Sequence, residues 1–365
     1  VEAGQLELDP QPFSLLQVIS ELQAVVKPLT DEKALKLILN INTEINNLGI
    51  ETDIHHIDLV YGDRRVLTQI LMNLCANAVK FTDSGHVDIY VANDHTVNYL
   101  WHNDEGKGFT DKGTLSGTGF SQAGEATVSM SVDFADYNHD ELLDIFISDD
   151  NYCSLYENLG NGVFKDNSYA SGISMASGQF VGWSSSFMDY DNDGDPDLFK
   201  TNGELKHLYG QEDQLFKNAG MGKFDDVSLD LGSYFEEEHV GRGACIGDYD
   251  NDGDLDIYIV NLNNQGKFLR NNKGNQANWI LLDLIGTSSN RDGIGCRIKI
   301  VAGNQIQTAQ KKSTTGYLSQ NDTRVHFGMA TATVIDEIEI KWPSGKHQVL
   351  ENIKVNQILK VKEPL

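Results

Sequence analysis

The chain is 365 residues long, enough for two or three domains with sizeable cores. Its formal net charge of −26 is uneven: residues 1–86 carry 12 acids and 6 bases, residues 276–365 carry 8 acids and 11 bases, and residues 87–275 hold 34 acids and 11 bases. A block that acidic excludes nucleic acid and anionic membrane as partners, and no run of about 18 apolar residues is present to form a membrane span.

The sequence begins at Val1 without a basic segment and apolar core, so no signal peptide is expected, and it reads like the middle of something longer. Cys75, Cys153, Cys245 and Cys296 are scattered without a CxxC pair and are expected to be small buried side chains. Residues 13–29 place Leu15, Leu16, Ile19, Leu22 and Val26 on a helical stripe, with Ser14 as its cap. "LKLILNI" at 35–41 alternates like a strand. Residues 62–82 form a second predicted helix, striped by Val66, Ile70, Leu74 and Val79.

On that second helix Asn73 and Asn77 lie four residues apart, which puts both amides on one face, and Lys80 follows three residues on. "VEAGQLELDPQPFSLLQVI" and "GDRRVLTQILMNLCANAVKFTDSG" closely resemble a sensor histidine kinase, at the end of its dimerisation helix and the first half of its ATP-binding domain. The resemblance implies that Asn73, Asn77 and Lys80 descend from residues serving nucleotide, Mg²⁺ and phosphate. His55 and His56 are in the wrong segment to accept a phosphoryl group. The adenine box should follow, and Asp104, Gly106 and Gly108 have its spacing. However, Val97, Tyr99 and Trp101 share one strand phase and Asp104 falls in the other. The segment is expected to be a turn of a repeat, and neither ATP nor Mg²⁺ is expected to bind.

Three acidic runs align: "DYNHDELLD" at 136–144, "DYDNDGDPD" at 189–197 and "DYDNDGDLD" at 248–256, with starts 53 and 59 residues apart. After each comes a second signature, Leu-aromatic-x-Asn with Phe six and Asp eight residues beyond the Asn. It comprises Leu155, Tyr156, Asn158, Phe164 and Asp166, and again Leu215, Phe216, Asn218, Phe224 and Asp226. An earlier copy has Leu100, Trp101, Asn103, Phe109 and Asp111, and the last repeat keeps only "FLRNN" around Asn271. "VDIYVAND" at 87–94 matches "LDIYIVNL" at 255–262, but Lys80, Thr82 and Ser84 fill the ligand positions of its acidic loop. The chain therefore reads as a fusion of two truncated genes, or an assembly product, joined at about residues 84–88.

Asp-x-Asp-x-Asp-Gly-x-x-Asp sets carboxylates at alternating positions, a glycine at the sharp turn and a closing carboxylate. That density of hard oxygen ligands suits Ca²⁺. The candidate ligands are Asp189, Asp191, Asp193, Asp195 and Asp197; Asp248, Asp250, Asp252, Asp254 and Asp256; and Asp136, Asn138, Asp140 and Asp144. Leu142, Asp195 and Asp254 are placed to offer backbone carbonyls. The first loop is the weakest, with Asn138 for an Asp and Glu141 for the glycine. Strand-like flanks disfavour EF-hands. The repeats resemble FG-GAP/VCBS repeats of integrin α-chain propellers, which implies blades of about four short strands with Ca²⁺ in inter-strand loops.

Residues 278–363 are strand-rich. "NWILLDLIGTSSNRDGIGCRIKI", "GYLSQNDTRVHFGM" and "IEIKWPSGK" resemble the ASPIC/UnbV domain that follows VCBS repeats in cartilage acidic protein-like proteins. Arg291, Asp292 and Gly293 are expected to form a turn, and Trp279 and Trp342 to be core. No nucleophile–base pair, zinc cluster or phosphate loop is recognisable.

The expected fold is mainly β: a partial β-propeller followed by a β-rich ASPIC/UnbV domain, with an N-terminal α/β fragment of a kinase ATPase domain. The expected domains are 1–86, 87–275 and 276–365. The expected function is non-enzymatic: binding of two to three Ca²⁺ ions and an extracytoplasmic protein or glycan ligand, with the kinase fragment vestigial. The alternatives are a sensor histidine kinase carrying an unusual C-terminal repeat region, or an enzyme whose site lies in missing blades. An arc of about four blades is expected to leave one sheet edge and one blade face uncovered.

Overall fold

The computed structural model describes residues 11–14, 59–62, 88–104, 107–204, 207 and 209–365. The chain divides into two compact units, Val1–Val87 with His102–Thr110, and Asp88–Trp101 with Asp111–Leu365. In the first unit, strands β1 (Gln11–Ser14) and β2 (Leu59–Gly62) pair antiparallel, Gln11 opposite Gly62 and Ser14 opposite Leu59. Phe13 and Ser14, expected to open a helix, are strand residues, and so is Gly62. Pro12 fixes its own φ and biases Gln11 toward extended backbone, which favours a strand there. The remainder of both expected helices, the expected strand over 35–41, and Asn73, Asn77, Lys80, His55, His56 and Cys75 lie outside the described residues. Asp104 stands in a tight turn, where its N–H donates to the Gly108 carbonyl at 2.9 Å and Thr110 Oγ1 donates to its Oδ2 at 2.5 Å.

The second unit opens with β3 (Ile89–Val91) and β4 (Asp94–Thr96), while β5 (Tyr99–Asn103) and β6 (Phe109–Asp111) have residues in both units. β3 pairs with β5, setting Tyr90 opposite Leu100. Three repeat sheets follow. The first has β7 (Thr127–Ala135), β8 (Asp144–Asp149), β9 (Ser154–Asn158) and β10 (Phe164–Asp166), in the order β10-β9-β8-β7-β4. The second is β11 (Gly182–Met188), β12 (Asp197–Asn202), β13 (Gln214–Asn218) and β14 (Phe224–Asp226), in sequence order. The third keeps three strands, β15 (Gly241–Gly247), β16 (Asp256–Asn261) and β17 (Lys267–Leu269). These antiparallel meanders are the blades of a partial propeller.

Apolar side chains at equivalent repeat positions stack one blade on the next. Phe146 and Leu155 pack with Leu198 and Phe216. One repeat later, Phe199 and Leu215 pack with Ala244, Ile246 and Ile257. In the third sheet the equivalent positions are Tyr258 and Phe268, and they are 45% and 47% exposed. That is the bare blade face the repeat count implied.

The open inner edge is covered, contrary to expectation. The segment 312–324 of the C-terminal domain runs along the first strand of each blade. Lys312 pairs with buried Asp133 on β7, and the Tyr317 N–H donates to Ser184 Oγ on β11 at 3.2 Å. On β15, the Asp322 N–H donates to the Ile246 carbonyl at 2.8 Å, and the Ile246 N–H donates to Asn321 Oδ1 at 3.0 Å. On β15 both backbone groups of Ile246 are thereby satisfied.

The C-terminal domain packs two sheets face to face. One is β21 (Val325–Ala330), β18 (Asn278–Ile285) and β24 (Gln357–Lys362). The other is β20 (Gln305–Gln310), β19 (Arg297–Ala302), β22 (Val334–Lys341) and β23 (His347–Lys354). Alternating apolar residues such as Ile280, Leu282, Ile298, Ile300, Ile338 and Ile340 form the core, with Trp342 among them. Arg291 and Asp292 are exposed in a turn, and Gly293 takes a left-handed φ of 63°. Cys153, Cys245 and Cys296 are free thiols.

Glu363 ties the chain end to this sandwich. Its Oε2 accepts the N–H groups of Thr287, Ser288 and Ser289 at 2.6, 2.7 and 2.8 Å, and its Oε1 accepts the Ser289 and Ser344 hydroxyls. Burial opposes the charge, but these donors win and hold the carboxyl down to about 2. Glu363→Gln is expected to cost about 2 kcal/mol. Denaturant unfolding at pH 7 checks this, and an unchanged midpoint would show that the nest is not a stabilising one.

Candidate metal centres

The three acidic loops are the hairpin connections between the first two strands of each blade, β7–β8, β11–β12 and β15–β16. Each folds the same way. The first carboxylate caps the loop from inside. Asp189 Oδ1 and Oδ2 accept the N–H groups of Asp193 and Gly194 at 3.1 and 2.8 Å. Asp248 does the same for Asp252 and Gly253, both at 3.1 Å, and Asp136 for Asp140 and Glu141, both at 3.0 Å. The chain then turns through left-handed backbone at Asn192 and Gly194 (φ 58° and 94°) and at Asn251 and Gly253 (φ 62° and 101°). Asn and Gly tolerate that region. In the first loop His139 and Glu141 adopt it, at φ 60° and 69°, and a non-glycine residue there costs about 1 kcal/mol.

The closing carboxylate is fixed from the second signature. Asp144, Asp197 and Asp256 each accept an N–H from Asn158, Asn218 and Asn271, at 2.7, 2.8 and 2.8 Å. The amides of Asn218 and Asn271 reach back to the previous repeat, donating to the carbonyls of Tyr137 at 2.8 Å and Tyr190 at 2.7 Å. The repeated spacing between acidic run and asparagine thus sets a structural register between neighbouring blades at Asn218 and Asn271.

Two of the three loops gather ligand atoms. One oxygen each of Asp189, Asp191 and Asp197 lies within 4.8 Å of the others, and so do those of Asp248, Asp250 and Asp256. Asp193 and Asp252 instead use Oδ1 to accept the N–H groups of Asp195 and Asp254, at 3.0 and 3.3 Å. Among the described residues the first loop assembles no such triad. There the Asn138 amide donates to Asp140 Oδ2 at 3.2 Å, and His139 Nε2 lies 2.6 Å from Asp195 Oδ1 of the neighbouring loop.

Burial raises several of the loop acids. Asp189 and Asp197 are pushed well above the carboxylate range by burial and by their acidic neighbours. Burial lifts Asp136 to about 6, Asp144 to about 8 and Asp254 to about 7. Asp191 Oδ1, Asp250 Oδ1 and Asp254 Oδ1 are buried without a hydrogen-bond partner.

Two cations at these sites were not singled out from sequence. Lys217 spans Asp191 and Asp193, 3.1 Å from the latter, and Arg270 spans Asp250 at 2.6 Å and Asp252 at 3.5 Å. Both occupy the variable position immediately before the signature asparagine. In the first repeat that position is Glu157, paired with Lys165 at 2.9 Å. A basic residue at that position in two of three copies was the available signal.

The C-terminal domain contacts all three loops. Lys299 pairs with Glu141 at 2.7 Å, the Ala330 N–H donates to the Asn192 carbonyl at 2.8 Å, and Arg324 donates to the Asp248 carbonyl at 2.7 Å and to Asn251 Oδ1 at 2.6 Å.

The FG-GAP-like repeat family model matches residues 81–147 and 136–199, and the ASPIC and UnbV model matches residues 286–365. These domain families are not typical of enzymes. Cartilage acidic protein 1 of Mus musculus is 25% identical over 297 residues, covering 76% of this chain and 43% of that protein. The signal transduction histidine-protein kinase BarA of Escherichia coli K12 is 36% identical over 91 residues, covering 25% of this chain and 9% of the kinase. The chain thus spans less than half of the first relative and about a tenth of the second. A solved Agrocybe aegerita lectin, described as recognising non-reducing terminal N-acetylglucosamine, aligns at a TM-score of 0.33 with 15% identity, covering 75% of this chain and 79% of that one. No helix among the described residues is long and apolar enough to cross a membrane.

Proposed function

We propose that the chain is a non-catalytic repeat protein of extracytoplasmic type that binds Ca²⁺ in its second and third acidic loops and presents the blades to a protein or glycan ligand. The observation that carries the metal reading is the pair of buried, unpartnered oxygens, Asp191 Oδ1 and Asp250 Oδ1, each on a carboxylate whose neighbours converge within 4.8 Å. A buried carboxylate oxygen without a donor is costly unless a cation completes it. Hard oxygen donors on a glycine-turned loop fit Ca²⁺. The likeness to cartilage acidic protein 1 over most of the chain supports the extracytoplasmic setting. In this reading residues 1–86 are a vestigial kinase fragment, residues 87–275 the repeats and residues 276–365 the C-terminal domain. Asn73, Asn77 and Lys80 then bind no nucleotide.

Millimolar Ca²⁺ is expected to raise the melting temperature of EDTA-treated protein, since an ion present at 100 times its dissociation constant adds about 2.7 kcal/mol. Asp191→Ala and Asp250→Ala should each remove part of that gain, and Asp140→Ala little of it. Identical melting in EDTA and in Ca²⁺ would sink the reading.

A further inference from the structure

We propose that Lys217 and Arg270 are tethered cations that occupy the acidic cages of the second and third loops in the absence of metal, and that they set how strongly a divalent cation binds there. This rests on the metal reading of those loops. Three observations carry it. The two residues hold the same repeat position, yet their contacts arise separately in two blades, each ammonium or guanidinium bridging the third- and fifth-position carboxylates of its own loop. The equivalent residue in the first repeat is Glu157, and that loop gathers no carboxylate triad among the described residues. And each cage still holds a buried oxygen without a hydrogen-bond partner, Asp191 Oδ1 and Asp250 Oδ1.

The physical consequence is a competition. Three or four carboxylates within a few ångströms repel one another, and a nearby cation offsets that repulsion and keeps the loop folded without metal. A divalent ion entering the same cage meets a positive charge that must swing away or stay as a repulsive neighbour. Either way the tethered cation lowers metal affinity while raising the stability of the metal-free loop. The side chains are suited to moving, because Lys217 is about one-third exposed and Arg270 about half. Such a device favours metal only where Ca²⁺ is abundant.

The test is calorimetric titration of Ca²⁺ into the full chain, comparing wild type with Lys217→Met, Arg270→Met and the charge-retaining Lys217→Arg. Lys165→Met, which removes a lysine from the first repeat, is the control. Lys217→Met and Arg270→Met are each expected to tighten one site by about five- to tenfold, and to lower the melting temperature in EDTA. Lys217→Arg and Lys165→Met should change affinity less than twofold. Arg270 lies on the surface, so its variant tests the proposal even where Lys217→Met misfolds. If wild type binds Ca²⁺ and neither methionine variant binds tighter, the tethered-cation role is wrong and the metal reading stands. Weaker binding in both variants overturns it too, because the cations would then be scaffolding. No heat of binding in any of the five proteins would remove the metal reading and this inference together.

Discussion

Gly328→Ala is expected to be among the most damaging single substitutions in the chain. A Cβ at this β21 residue would stand 2.0 Å from Asp189 Oδ2 and 2.5 Å from the Asn192 Cα. Asp189 cannot yield easily, since both its oxygens hold backbone N–H groups of its own loop. Asn192 is fixed as well: its amide donates to the carbonyls of Gly253 and Gly274, both at 3.0 Å, so it joins the second loop to the third repeat. The alanine methyl must therefore push β21 off the second loop, breaking the bond from the Ala330 N–H to the Asn192 carbonyl. Gly253→Ala presents the same problem in the third loop, where the new Cβ would sit 1.9 Å from the Trp279 indole and φ is 101°. Each is expected to cost about 3 kcal/mol, the upper end for overpacking, and to lower the melting temperature by roughly 6–12 °C. Gly303→Ala is the control, for its φ of 58° is strained but nothing lies within 4 Å. Calorimetry decides the matter. If Gly328→Ala melts like Gly303→Ala, the C-terminal domain is not held against the acidic loops as described.

The sequence revealed the repeats because each blade writes its register in polar residues. The acidic run and the asparagine that closes it are local patterns, and both do local hydrogen-bonding work, as at Asp197 and Asn218. The inner face of the array was not legible in the same way. β7 reads Thr-Val-Ser-Met-Ser-Val-Asp-Phe-Ala, and alternation argues for Val128, Met130 and Val132 as its buried side. The opposite set is the buried one: Thr127, Ser129, Ser131 and Asp133. Small hydroxyls let the first strands of neighbouring blades come close, with Ser131 Oγ on β7 2.8 Å from Ser185 Oγ on β11 and 2.9 Å from Ser148 Oγ of its own blade. Asp133 is buried because Lys312, 179 residues later, meets it. "KKSTTGYLSQNDT" reads as a polar loop, and its contacts across the first strands of three blades come from chain-distant pairing that no periodicity encodes. Lys217 and Arg270 were equally hidden, for a base at a variable repeat position declares its partner only once the hairpin closes.

The same burial makes stability run against the usual pH trend. Asp136, Asp144 and Asp254 have folded-state values of about 6, 8 and 7, raised chiefly by burial, and burial also pushes Asp189 and Asp197 well above the carboxylate range. Their unfolded values lie near 4. Between about pH 4 and 8 the metal-free native state therefore binds more protons than the unfolded chain, and its stability must fall as pH rises through that window. Glu363 works the other way, but its value is depressed to about 2, so its contribution is complete above about pH 5 and does not offset the trend. In EDTA the melting temperature should accordingly be higher at pH 6 than at pH 8, by about 3–6 °C for a net difference of 1–2 kcal/mol. Calcium bound as proposed is expected to reverse the sign for the second and third loops. It needs the ionised carboxylates, so binding displaces their protons, and the gap between the Ca²⁺ and EDTA melting curves should widen from pH 5.5 to pH 8. Titration of Ca²⁺ into weakly buffered protein at pH 7 should release protons. Proton uptake, or a calcium increment that stays constant across the pH range, would mean that the raised carboxylates and the metal ligands are not the same groups.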